Sequence, residues 1–174
     1  QPEQQILGQL PVVQDLLALV DALVSPGHDL SLARALRSPL FGLAEDDLTR
    51  IALAVRAAGE PRPAWLEVLA QIELTGADAV SLHAELQGHR QAFLHLPPHD
   101  ALQALYQQRD VLARYAAAAP PPERAHQLGQ LRALLGAALQ VQGGRYLTAY
   151  QWVRALRRQR LAAPRHADPD SVQL

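Results

Sequence analysis

A cluster of aromatic and basic side chains lies near the C-terminal end of the chain, on one predicted helix. Tyr150 and Trp152 come first, and four arginines follow them, Arg154, Arg157, Arg158 and Arg160. Guanidinium forks suit phosphate oxygens, and aromatic rings pack against sugars or bases. The pattern therefore predicts contact with nucleic acid. In the alternative interpretation the aromatic residues belong to the core with Val153 and Leu156, and the arginines form a solvated face; the sequence favours neither.

A second candidate surface is the segment 34–48, which joins two short predicted helices through a glycine-containing turn. Such turns present backbone N–H groups to a phosphate at a helix N-terminus. The candidate residues are Arg34, Arg37, Phe41, Gly42 and Leu43. The alternative is an ordinary helix connection, because the acidic run 45–47 would repel a phosphate, and local physics favours that alternative.

Charge is distributed unevenly along the chain, although the formal net charge is only −1. Between Arg124 and Ala167 there are eight arginines and no acidic residue, whereas acidic residues outnumber arginines before that stretch. A basic C-terminal third is thus joined to an acidic body. The chain has no lysine. Since a P-loop needs a lysine to reach the β- and γ-phosphates, ATP hydrolysis by a P-loop is excluded within these residues.

Other polar clusters fit structural roles better than catalytic ones. The histidines that stand closest together in the sequence are His83, His89, His95 and His99. A six-residue spacing places helical side chains on different faces, which disfavours a shared metal ion. The acidic pairs at 46–47 and 168–170 lack companion ligands. There is no cysteine, and no serine lies in a nucleophile-elbow sequence. We predict no catalytic residue, metal site or cofactor in this chain.

Proline, glycine and capping residues divide the chain into helices. Apolar residues at three- and four-residue spacing predict a first helix that begins at Pro11. Asp29 is the predicted cap of a short second helix, which stops near Ser38. A third helix begins at the acidic run 45–47, where negative charge complements the helix dipole, and a turn is predicted at 143–144. Further helices are predicted at 64–72, 77–93, 100–117, 122–142 and 148–162, the last one starting at a Thr148 cap.

These elements predict an all-α fold, an irregular bundle of about seven or eight helices that forms one domain over residues 1–174. No stretch shows two-residue alternation, so no sheet is predicted. No apolar run approaches the roughly 20 residues of a membrane span, and no secretion signal is visible. Cytoplasm is therefore the default expectation for this chain.

Several runs of sequence resemble the UvrD-like helicases, especially the AddA and RecB-type branch. PVVQDLLALV from Pro11 and DLSLARALRSPLFGL from Asp29 are similar to the opening of a helical insertion called 2B, which interrupts the second motor domain in that family. ALQALY from Ala101 and ERAHQLGQLRALL from Glu123 are similar to later 2B helices. The resemblance covers nearly the whole chain, with 1–10 and 164–174 as the expected junctions to the parent motor.

The resemblance implies a parent protein that moves along DNA with 3′–5′ polarity, within an exonuclease complex used in double-strand-break repair and recombination. ATP and Mg²⁺ would be cofactors of that parent motor and not of this chain. The implied partners are duplex or forked DNA, the parent motor domains and a partner nuclease or helicase subunit, with no membrane. In the family a Gly-Ile-Gly turn approaches the duplex backbone; Phe41-Gly42-Leu43 falls in the similar place, and Ala44 replaces the second glycine. A bacterial, nucleoid-associated cytoplasmic location follows.

Two hypotheses from other classes remain beside this one. The chain could be a free-standing helical module that binds a protein and never meets DNA, in which case the arginines of the C-terminal third have no role in DNA binding. It could also be an enzyme of an unrecognised all-α type, which would require a polar pocket that the sequence pattern does not reveal.

Overall fold

The computed structural model describes residues 4–142 and 148–162, and most of them are helical. The α-helices among them are α1 Pro11–Val24, α2 Asp29–Arg37, α3 Glu45–Ala57, α4 Trp65–Val68, α5 Ala79–His95, α6 Pro98–Gln108, α7 Val111–Ala118, α8 Arg124–Gln142 and α9 Ala149–Arg158. The predicted all-α multi-helix bundle is confirmed. The predicted turn at 143–144 and the predicted junction at 164–174 lie outside the described residues, as do the first three residues.

The core is built around α1. This helix starts with Pro11 at its first turn and buries residues on nearly all sides, from Val12 to Leu23. It packs against α2, α5, α8 and α9. Because each fully buried leucine or valine contributes about 1.5–3 kcal/mol through removal of apolar surface from water, α1 is the element on which the other helices depend.

The end of α9 and the start of the chain form a feature that the sequence did not predict. Residues Gln4–Ile6 (β1) pair antiparallel with Arg160–Ala162 (β2), and Gln4 lies opposite Ala162. The prediction that no sheet exists was therefore wrong for these six residues, and the predicted helix 148–162 ends at Arg158. Three-residue strands are too short to show the alternation that identifies a strand in a sequence.

Two further helix predictions were wrong in detail. The predicted helix 100–117 is interrupted after Gln108, because Asp110 adopts a left-handed conformation with φ of 52° that ends α6 and starts α7. Asp29 does not cap α2: its side chain accepts a hydrogen bond from the backbone N–H of Trp65 at 3.0 Å and lies 3.6 Å from Arg62. Asp29 therefore joins α2 to α4 instead of closing its own helix.

Aromatic side chains hold the C-terminal helices against the core. Trp152 of α9 is fully buried, and its indole N–H donates to the carbonyl oxygen of Ala138 on α8 at 3.3 Å. The Trp152 and Phe93 rings lie 6.2 Å apart. Tyr106 donates to the carbonyl oxygen of Leu131 at 2.7 Å.

None of the described helices is long and apolar enough to span a bilayer.

Candidate nucleic-acid interface

The turn between α2 and α3 uses its backbone N–H groups internally. The Ser38 carbonyl oxygen accepts hydrogen bonds from Phe41 N at 3.1 Å and Gly42 N at 2.7 Å, and Leu43 N donates to the carbonyl oxygen of Leu36 at 2.9 Å. Gly42 takes a positive φ of 64°, which L-residues with a side chain rarely adopt. The three N–H groups that would face a phosphate are therefore already bonded within the turn.

The two arginines predicted at this turn are held by carboxylates. Arg34 Nε lies 3.0 Å from Asp15 Oδ1, and its Nη2 donates to Gln14 at 3.1 Å. Arg37 Nε lies 2.6 Å from Glu45 Oε1. The hydrogen bond and the negative charge of Glu45 raise the pKa of Arg37. Both guanidinium groups are thus neutralised by the protein, which reduces their attraction for a phosphate.

The other predicted residues of the turn face inward or are covered. Leu43 is buried, and the Phe41 ring is covered by the guanidinium of Arg109, whose Cζ lies 4.6 Å from the ring centroid. Arg109 also donates to the carbonyl oxygen of Leu40 at 3.3 Å. Of the five residues predicted at this turn, Gly42 offers only an exposed backbone, and the other four have partners within the protein.

A partly buried ion pair holds Arg109 beneath the turn. Its Nε donates to Glu85 Oε2 at 2.7 Å, and its Nη2 donates to Glu85 Oε1, so the pair is bidentate. His89 lies 2.9 Å from the same carboxylate. Burial alone would raise the pKa of Glu85, but the hydrogen bonds from His89 and Arg109 and the charge of Arg109 lower it to about 2. This network was missed in the sequence because its members come from α5 and from Arg109, which directly follows α6, far from the turn they support.

Helix α9 has one buried face and one exposed face. Its N-terminus is fixed by a capping box in which Gln151 N donates to the Thr148 hydroxyl at 3.2 Å and Thr148 N donates to the Gln151 side chain at 3.1 Å. The buried face consists of Trp152, Val153 and Leu156. The predicted Thr148 cap is confirmed.

The aromatic pair is divided between the two faces of α9. Tyr150 is 47% exposed, whereas Trp152 belongs to the core. Arg154 and Arg158 follow Tyr150 at four-residue spacing and are exposed on the same side of the helix. The Arg154 guanidinium lies 5.7 Å from the centroid of the Tyr150 ring, within cation–π range. Trp152 thus lies in the core, as one of the two interpretations predicts, and contact of Tyr150 and the arginines with nucleic acid stays a prediction.

The remaining two arginines of the cluster differ from each other. Arg157 forms an ion pair with Asp21 of α1 and is partly buried, so it fastens α9 to the core helix. Arg160 is exposed in β2, opposite Ile6. Within residues 4–142 and 148–162, no carboxylate forms an ion pair with Arg154, Arg158 or Arg160. We call Tyr150, Arg154, Arg158 and Arg160 the α9 surface.

Three of the four predicted histidines contact side chains of their own helix. His83 lies 3.5 Å from Gln87, and His95 lies 2.9 Å from Gln91. His89 contacts Glu85 as described above. No group of three or more metal-ligating side chains occurs in the part of the chain that the structure describes.

Comparisons with known proteins relate the chain to large helicase/nuclease proteins. Over 82 residues, which is 47% of the chain, it is 35% identical to an ATP-dependent helicase/nuclease subunit of Lactococcus lactis subsp. cremoris strain SK11. The match to the exonuclease/helicase subunit RexA of strain MG1363 has the same identity and extent. The match spans only 6% of the length of either relative. No family model matches the chain. The similarity supports a helicase-related protein.

Proposed function

We propose that the chain is an accessory helical subdomain of an ATP-dependent DNA helicase/nuclease subunit that acts in double-strand-break repair and recombination. The observation that carries this proposal is the 82-residue similarity to helicase/nuclease subunits. In the proposal the chain corresponds to the 2B insertion, and the parent motor domains supply the P-loop, ATP and Mg²⁺. This assignment agrees with the absence of lysine from the chain.

The pairing of β1 with β2 supports an inserted subdomain. A segment inserted into another domain must leave and re-enter its host at neighbouring points. Gln4 and Ala162 are opposite each other in an antiparallel pair, and such partners lie about 5 Å apart. We call this pair of strands the β-ribbon, and its pairing continues towards the bundle with a hydrogen bond of 2.8 Å from Leu7 N to the carbonyl oxygen of Gln159. The two connections to the host would therefore leave the bundle side by side.

The α9 surface supports contact with DNA. Arg154, Arg158 and Arg160 are exposed and have no carboxylate partner among the described residues. Arginines of this kind bind phosphate oxygens independently of base sequence and release counterions when they do so. The turn at Phe41-Gly42-Leu43 is a poorer candidate, because its N–H groups donate within the turn. A partner nuclease or helicase subunit remains a further candidate for contact with the acidic body of the chain.

The assignment as an inserted subdomain is tested by the gene that encodes these residues. Its reading frame should encode a P-loop upstream of Gln1 and a Thr-(Ile/Val)-His segment downstream of Leu174. Absence of both motifs would refute the proposal and favour the free-standing interaction module.

The DNA contact is tested by binding to a fluorescent forked duplex over a range of salt concentrations. Replacing Arg154→Gln and Arg158→Gln together should weaken binding and lower the salt slope by about 0.9 per lost phosphate contact. Arg56→Gln, an exposed arginine on α3, is the matched control and should bind as the wild type does. An unchanged slope in the double variant would assign these arginines to a structural role.

A further inference from the structure

Tyr150 is a large aromatic side chain that is 47% exposed. Among the described residues it is the only exposed aromatic, because Phe93, Tyr106, Tyr115 and Trp152 are buried and the rings of Phe41 and Trp65 are partly buried. It lies on the first turn of α9, which the Thr148 capping box orders. An ordered, exposed tyrosine beside basic residues is typical of an interface, since the ring provides contact area at low entropic cost.

The Tyr150 ring is already paired with a cation. The Arg154 guanidinium lies 5.7 Å from its centroid. Guanidinium planes and aromatic rings both stack on nucleic-acid bases. Arg158 follows Arg154 after about 6 Å along the helix axis, and Arg160 extends the same run of arginines into β2. Stacking groups and phosphate-binding groups thus follow one another along this part of the chain.

We propose that the α9 surface binds a single-stranded segment of DNA, with one unpaired base stacked on Tyr150 and Arg154 and the adjacent phosphates on Arg158 and Arg160. The inference rests on the proposed function and deepens it by naming the form of DNA. A base inside a duplex has both faces covered by its neighbours, so a ring on a helix surface cannot stack on it. Duplex DNA would use the arginines of this surface but not Tyr150.

An acidic protein segment is the competing occupant, since three arginines without a carboxylate partner among the described residues attract any polyanion. The cation–π pair favours the nucleic acid. A carboxylate would engage the guanidinium alone, whereas a base gains contact with both the ring and the guanidinium plane. The decisive property is therefore the dependence of binding on the Tyr150 ring.

The experiment compares Tyr150→Leu with wild type in the 174-residue chain, by fluorescence anisotropy. The probes are a short oligothymidylate, an abasic strand of the same length and a blunt duplex. Loss of one stacked base costs about 1–3 kcal/mol, so Tyr150→Leu should weaken binding to oligothymidylate about 5- to 150-fold. It should leave binding to the abasic strand and the duplex unchanged, because the abasic strand has no bases and the bases inside the duplex are stacked on their neighbours. Tyr150→Phe keeps the ring and should bind as wild type; circular dichroism checks that each variant remains helical.

The outcomes separate this inference from the function on which it rests. If Tyr150→Leu has no effect on oligothymidylate, or weakens all three probes equally, the stacking inference is overturned. Sensitivity of duplex binding to Arg154→Gln and Arg158→Gln would in that case still support the DNA contact. If polyglutamate displaces oligothymidylate as well as unlabelled oligothymidylate does, the surface binds an acidic protein, and both proposals for it fail.

Discussion

Replacing Glu85→Gln should destabilise the fold at neutral pH and have much less effect in acid. The hydrogen bonds and charge from His89 and Arg109 lower the pKa of Glu85 from 4.5 to about 2, a difference that corresponds to about 3 kcal/mol of stabilisation. The side chains of Glu85 and Arg109 are 28% and 16% exposed, so solvent screens the pair only in part. Glutamine still accepts one hydrogen bond, and we expect a loss of about 2–3 kcal/mol near pH 7.

The destabilisation caused by Glu85→Gln should increase as the pH rises. A lowered pKa stabilises the folded chain only while the carboxyl group is ionised, so the contribution is complete above about pH 4.5 and disappears as the pH falls towards 2. Denaturant titrations of the wild type and Glu85→Gln at several pH values measure it as the difference in free energy of unfolding. Glu73→Gln, at an exposed position, is the control and should change little. A loss that is equally large near pH 3 and near pH 7, or below about 0.5 kcal/mol at both, would refute this account of Glu85.

Three further substitutions test other contacts. Asp47→Ala removes the carboxylate that accepts a hydrogen bond from Thr75 N at 2.8 Å, a bond that lowers the pKa of Asp47. We expect the free energy of unfolding to fall by about 2 kcal/mol and amide exchange at Thr75 to become faster. Unaltered exchange would contradict this. In Gly42→Ala the new methyl group would meet no neighbouring atom, but the alanine would have to adopt a φ of 64°. Because this conformation is unfavourable for alanine, the melting temperature should fall by the equivalent of about 1–2 kcal/mol. An unchanged melting temperature would argue against a strained turn. Gly8→Ala would place a Cβ 2.8 Å from the carbonyl oxygen of Arg157, and should lower the melting temperature by the equivalent of about 1–3 kcal/mol. Wild-type stability would show that the segment Leu7–Gln9 can move away from α9 without loss.

The helices were predictable where a local signal marks each end. Pro11 opens α1, and the acidic run 45–47 opens α3, because a helix terminus depends on a few adjacent residues. The break at Asp110 was not predictable in this way, since a left-handed non-glycine residue has no strong local signature. The β-ribbon joins residues more than 150 positions apart, and no local pattern contains that information.

The sequence predicted the residue types of the candidate site, but not which of these side chains already have partners within the protein. The arginines were identified by their number and spacing, whereas the structure determines which of them have partners. Arg34 pairs with Asp15 across 19 residues, and Arg157 pairs with Asp21 across 136 residues. Such pairings depend on the packing of α1 against α2 and α9. Only tertiary structure therefore separates Arg154, Arg158 and Arg160 from the arginines that stabilise the fold.

The ribbon also determines how the bundle would respond to mechanical force. Tension along the chain on both sides would reach the Gln4 and Ala162 pair first and open the strands one pair at a time, as a zipper opens. The strands would not be sheared, a geometry in which all the hydrogen bonds between them bear the load together. With only three residue pairs to part, such tension would separate the two strands at low force.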